Sequence, residues 1–100
     1  MKTTSVATMK FDWDDQKAAT NKNKHGVSFE VAALVFLDNS RIEDLDIRHS
    51  YGEDRWRTIG TVSETVLYVV YTVRDGDTTR LISARYASEK ERKQYRQVQP

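Results

Sequence analysis

The sequence predicts an α+β fold: a small twisted antiparallel β-sheet carrying an N-terminal helical hairpin and a C-terminal helix. Three observations lead there. Strand-forming residues crowd between Trp56 and Ile82 and are divided by short turns. The segment before them has helical spacing and helix punctuation, and the C-terminal segment opens on a capping pair. The resulting order, β-α-α-β-β-β-β-α, lacks the regular strand–helix alternation of a parallel sheet and gathers the helices on one sheet face.

Taken in order, Lys10 to Trp13 reads as a short strand, and Asp14 or Asp15 caps the helix that follows through Ala18, Ala19 and Lys22. Gly26 sits where a helix end requires positive φ, and Ser28 caps the next helix two residues later, so a tight hairpin is expected. In that second helix Phe29, Ala32, Ala33, Phe36 and Leu37 recur at i, i+3, i+4, i+7 and i+8, one broad apolar stripe suited to lie on a sheet. Asp38-Asn39-Ser40 breaks the helix, and Arg41 to Ile47 alternates as a strand before the polar loop His49-Ser50-Tyr51-Gly52. Arg55 to Val62 and Val66 to Arg74 are strands joined around Ser63-Glu64-Thr65, and Asp75-Gly76 signals a hairpin into Thr79 to Arg85. Ser88 with Glu91 forms a capping box for a final helix bearing Lys90, Arg92, Lys93 and Arg96, with Tyr95 as its large aromatic.

One hundred residues suit one domain, which at this size buries only about 65% of its extended surface, so each large apolar side chain counts. Residues 1–8 precede Met9-Lys10-Phe11, lack an apolar core, and are expected to be a disordered extension, with residues 9–100 forming the domain. The longest apolar run, Val66 to Tyr71, is too short to span a bilayer, so a cytoplasmic protein with no membrane contact is the expectation. The absence of cysteine excludes a disulfide framework and thiolate metal sites. With His25 and His49 far apart, a zinc site would need carboxylates at a spacing the sequence lacks, so neither metal nor cofactor is expected. The net charge of +1 hides an asymmetry. Asp38 to Asp54 is rich in acids, whereas from Arg80 onward Arg80, Arg85, Lys90, Arg92, Lys93 and Arg96 face only Glu89 and Glu91.

Four motifs stand in series: Phe11-Asp12-Trp13-Asp14, Lys24-His25-Gly26-Val27-Ser28-Phe29-Glu30, Val69-Val70-Tyr71-Thr72 and Ile82-Ser83-Ala84-Arg85. Together they resemble the BrnT family, the toxin half of a bacterial type II toxin–antitoxin pair, over most of the chain. The resemblance implies a fold similar to the RelE-type ribonuclease toxins, metal-independent cleavage of RNA, and a block of translation in which the ribosome can take part. It also implies a BrnA-like antitoxin partner bearing a ribbon-helix-helix module, a heterotetramer of the two, and DNA contact through that antitoxin alone. The chain departs from the family pattern at Tyr86, where a basic residue is expected.

Alternation along a strand puts Ile82 and Ala84 on one sheet face and Leu81, Ser83 and Arg85 on the other. By the same rule Trp56 and Val62 face the core while Arg55 and Arg57 point as Arg85 does. Guanidinium groups bind phosphate in a forked geometry and stabilise the extra charge of a phosphorane. From pattern alone, exposed cross-strand ion pairs with acids such as Glu43 or Glu53 are the simpler reading. The resemblance tips the balance towards RNA, with Arg80 and Ser83 as further contacts. RNA cleavage also needs a base for the 2′-hydroxyl and an acid for the leaving 5′-oxygen, and His49 with Glu53, four residues on in the same loop, are the candidates. Outside the family context, His49 is simply an exposed loop histidine. Tyr51, Tyr68, Tyr71 and Tyr86 can stack on bases, although sheet tyrosines more often pack. His25 beside Lys24 at a helix C-terminus is explained by the helix dipole and reads as structural.

Two other functions compete. A non-catalytic domain could use the arginine-rich face only to bind RNA or protein; it predicts a wide separation of His49 or Glu53 from Arg85. A direct DNA-binding regulator ranks last, since no helix offers a base-reading face.

Overall fold

The computed structural model describes residues 2–6, 8–46 and 52–99. Its elements are β1 (Lys2–Val6), β2 (Met9–Trp13), α1 (Asp15–His25), α2 (Phe29–Ala33), a 3-10 helix (Leu34–Leu37), β3 (Ile42–Leu45), β4 (Trp56–Val62), β5 (Thr65–Arg74), β6 (Thr78–Tyr86) and α3 (Glu89–Gln97). Among the described residues the strands form one six-stranded sheet in the order β1-β2-β6-β5-β4-β3.

Local chemistry sets the helix ends as the sequence indicated. Asp14 caps α1 by accepting from the Gln16 and Lys17 amides at 2.8 and 3.3 Å. Gly26 closes it at φ 75°, donating to the Lys22 carbonyl. Ser28 caps α2 and the Ser88–Glu91 capping box opens α3. The β3 to β6 strands form an antiparallel meander, and Asp75 and Gly76 both take positive φ in the turn between β5 and β6.

The structure departs from the sequence expectation in several places. The sheet is mixed rather than antiparallel, because the chain crosses the sheet after β2 and returns as β6, parallel to β2 over Lys10–Asp12 and Thr78–Arg80. Lys2–Val6, expected to lack order, is an edge strand antiparallel to β2. The second helix tightens into its 3-10 turn after Ala33, which rotates Val35 into the core (0% exposed) and leaves Leu37, expected inside, 54% exposed. The helices also do not share one face. The N-terminal pair packs on β6 over a core of Phe11, Trp13, Phe29, Phe36, Leu67 and Tyr71, whereas α3 seals a second cluster of Ile59, Tyr68, Val70 and Tyr95 on the reverse side.

A β-bulge explains the last strand. Val70 pairs with Ser83 but Tyr71 pairs with Leu81, so Ile82 is the extra residue. Leu81 and Ala84 therefore both enter the α1/α2 core, and Ile82, expected beside Ala84, packs into the α3 cluster. Gly60 on β4 admits the crossing chain closely: a Cβ there would stand 2.9 Å from Val35 Cγ2 and 3.0 Å from Arg41 Cβ. The adjoining Asp38 carboxylate accepts from the Thr61 amide at 2.9 Å and from the Tyr95 hydroxyl, tying this crossing to α3.

Candidate nucleic-acid interface

The side of the sheet that α3 only partly covers carries the sequence-predicted cations. Arg57 on β4 stands directly opposite Asp44 on β3 and grips its carboxylate through Nε and, at 3.1 Å, through Nη2. It also donates to the Tyr68 side chain; these bonds, Asp44's first, push the Arg57 pKa further up. Tyr68 is 5% exposed, so its ring serves as a wall rather than a free stacking platform, and Arg85 lies over it with Cζ 4.0 Å from the ring centroid. Arg85 in turn holds Glu91 of α3 in a fork, both contacts at 2.8 Å. Burial pushes Glu91 up, but the bonds from Arg85 and the Ser88 amide outweigh it and hold its carboxyl below the ordinary value. Asp38 behaves alike: partial burial raises it, and donors from Tyr95, Thr61 and Ser40 bring it below the ordinary range.

Arg80 reaches Asp12 across the parallel pair at 3.5 Å, with both side chains largely buried. Glu53 lies 3.7 Å from Arg55 and 3.2 Å from Arg74. The end of its loop is fixed by Thr72, whose hydroxyl donates to the Asp54 carbonyl at 2.6 Å. Each of these arginines thus stands beside a carboxylate, the ion-pair pattern that strand alternation alone suggested, although Asp44, Asp12 and Glu91 are partners that reading did not name. The more exposed of these pairs, such as Arg57–Asp44, are worth only about 0–1 kcal/mol each.

The predicted residues fall into groups. Arg57, Tyr68, Ser83 and Arg85 are brought together, on cross-strand neighbours of β4, β5 and β6. Glu53 is placed at the other end: its partner Arg74 lies six positions along β5 from Tyr68, which faces Arg85, roughly 20 Å at strand rise, so Glu53 and Arg85 show the wide separation that the non-catalytic reading predicts. Tyr86 is on the opposite face, its cross-strand partner being Leu67 of the α1/α2 core, and its Cε2 lies 3.8 Å from where a Cβ on Gly26 would stand. Tyr71 is buried in that same core, bonded to Glu43 at 3.0 Å, and is closed to bases. His49 and Tyr51 lie outside the described residues. Among the described residues no group of three or more His, Asp or Glu side chains is placed to hold a metal ion, and no helix is long and apolar enough to cross a membrane.

Sequence reasoning missed a notch of about 440 Å³ between α1 and the β6 bulge. Lys24 and His25, read above as helix-end chemistry, line it together with Lys17 and Ser83. The available signal was the spacing of Lys17, Asn21 and Lys24, a polar stripe along one face of a helix without an apolar one.

A mixed sheet with the N-terminal helices on one side, and forked arginines beside α3 on the other, defines a small α+β domain equipped to bind phosphate. The family described as ribonuclease toxin, BrnT, of type II toxin-antitoxin system matches residues 13–91, and the chain belongs to it. The chain is therefore an RNA-cleaving toxin with an antitoxin as partner. The fold is similar to the crystal structure of the Brucella abortus ribonuclease toxin BrnT, with 27% identity and a TM-score of 0.61 over 82% of this chain and 100% of that one. Curated protein sequences give no match.

Proposed function

We propose that the chain cuts RNA without a metal ion at the Glu53 end of the arginine face, and that this cleavage blocks translation. The observation that carries the reading is the contact of Glu53 with Arg55, at 3.7 Å, in the segment that joins the His49 loop to β4 and Arg57. His49 and Glu53 share the proton transfers. One removes the 2′-hydroxyl proton, the 2′-oxygen attacks the adjacent phosphorus, and the other protonates the departing 5′-oxygen, leaving a 2′,3′-cyclic phosphate. Arg55 and Arg57 hold the phosphorane charge as it develops. Arg85, on β6 opposite Tyr68, lies too far from Glu53 to share that phosphate, so it binds a neighbouring nucleotide with Arg80, Ser83 and the Tyr68 edge. Tyr86, on the far face, has no part in this path.

The antitoxin is taken to be BrnA-like, with a ribbon-helix-helix module that supplies all DNA contact, and to cover the arginine face in a heterotetramer. The fold assignment extends to a RelE-like one, with α1 and α2 as its helical hairpin, and the setting is cytoplasmic. The decisive test incubates the isolated chain with labelled single-stranded RNA in EDTA, with and without ribosomes. Cyclic-phosphate ends are expected from wild type and lost in Arg57→Ala and His49→Ala, while Arg85→Ala weakens binding. RNA retained but uncut under both conditions would leave a binding domain without chemistry.

A further inference from the structure

We infer that the notch between α1 and the β6 bulge is a second RNA subsite, which grips the backbone of a nucleotide flanking the segment bound on the arginine face. The inference rests on the proposal that RNA crosses that face. The notch is preformed. Asn21, the one buried residue of α1, acts as a substitute strand: its Nδ2 donates to the Ala84 carbonyl at 2.8 Å and its Oδ1 accepts from the Ala84 amide at 3.1 Å. A further bond from Nδ2 to the Val27 carbonyl, at 3.0 Å, locks the helix end. These bonds seat α1 along β6 where β2 has turned away, and the gap left between Asp14 and the bulge is the notch.

Its chemistry suits a phosphodiester. Lys17, Thr20, Lys24 and His25 follow one another along the same face of α1, and Gln16 adds an amide. The acid in the lining, Asp14, is committed to the Gln16 and Lys17 amides as helix cap. Among the described residues neither Lys17 nor Lys24 has a carboxylate within ion-pairing distance, unlike every arginine of the sheet face. Ser83 belongs to both regions: cross-strand from Val70 next to Arg57's row, and in the notch wall. A strand leaving the arginine face past Ser83 therefore meets unopposed ammonium groups, with hydroxyl, amide and imidazole groups placed for ribose or base. Two lysines on a helix suit sequence-independent grip on phosphates rather than reading of bases.

The test uses the full chain and uncleavable 2′-O-methyl RNAs of increasing length, comparing wild type, the double variant Lys17→Ala/Lys24→Ala, and Arg57→Ala. Lys17 and Lys24 are exposed, so the fold is expected to persist, as circular dichroism checks. In the double variant the longer RNAs are expected to bind about tenfold more weakly and the salt slope to fall by about 1.4, two phosphates' worth for a single strand, with the shortest RNA unaffected. Wild-type affinity and slope in the double variant, with binding lost in Arg57→Ala, would overturn the notch and leave the face intact. Unchanged binding in both would overturn the two together.

Discussion

The sheet face and the α1 notch are both cationic, yet they are built on opposite terms. On the face each arginine is forked onto, or stands beside, a carboxylate, so in the proposed reading RNA binding is an exchange in which phosphate replaces Asp44, Asp12 or Glu91. In the notch the one acid in the lining, Asp14, is committed to the helix cap, so a bound phosphate would displace mainly solvent and counterions. The difference separates geometry from affinity. Paired arginines on rigid strands are fixed in direction before the substrate arrives, which suits a charge-stabilising role. Unpaired lysines on a helix give attraction with little direction.

The comparison is broken most severely by Arg57→Ala, which removes the fork at the centre of the face and strands Asp44. A loss of about 10²–10³ in cleavage rate is expected, measured in single-turnover assays, because a positioned charge donor is removed. Asn21→Ala attacks the notch through its frame: three buried bonds go, and about 3 kcal/mol of stability with them, readable in urea unfolding. The two helices that border the regions should also part company in acid. Asp38 and Glu91, which anchor α3, have folded values held below their ordinary 3.8 and 4.5. Their contribution is whole above those ordinary values and lost as pH falls through the lowered folded ones. Hydrogen exchange in α3 should therefore accelerate below about pH 4, while α1, which loses its Asp14 cap in acid but keeps the Asn21 anchor that does not titrate, should lose less protection away from its first turn.

Smaller effects sharpen the same contrast. Glu91→Gln keeps a side chain competent for the capping box but removes the charge competing for Arg85, so RNA affinity should rise about two- to fivefold in a filter-binding assay, the scale of one exposed ion pair. Tyr86→Ala should leave RNA affinity within about twofold, since that side chain lies on the other face; a larger loss would place RNA on the α1/α2 side instead.

What was legible in the sequence is what neighbours in the chain decide. Asp14, Gly26, Ser28 and the Ser88–Glu91 box act within four residues, and Asp75-Gly76 turns the chain by its own φ preference, so all of these could be read directly. The direction of Arg57, Ser83 and Arg85 also followed, since alternation survives on each side of the bulge. The bulge itself, the parallel β2–β6 pair, the strand at Lys2–Val6 and the seat of α3 are set by partners far along the chain, and no local pattern encodes them. The same limit hid the acids. Asp44 opposite Arg57 depends on register, and Asp12 beside Arg80 depends on the crossover. His25 sits in the last turn of α1 as its local chemistry indicated, and its further position in the notch exists only once Asn21 binds α1 to β6.

The central claim is that RNA lies on the arginine face and runs past Ser83. Titrating the isotopically labelled chain with an uncleavable single-stranded RNA, and following backbone amides together with arginine side-chain resonances by NMR, tests it most directly. Shifts are predicted at Arg55, Arg57, Ser83 and Arg85 and along Lys17 to His25, with Val31 and Tyr86 silent. Shifts confined to α2, Tyr86 and the Val62–Thr65 turn, with the arginines unmoved, would contradict it.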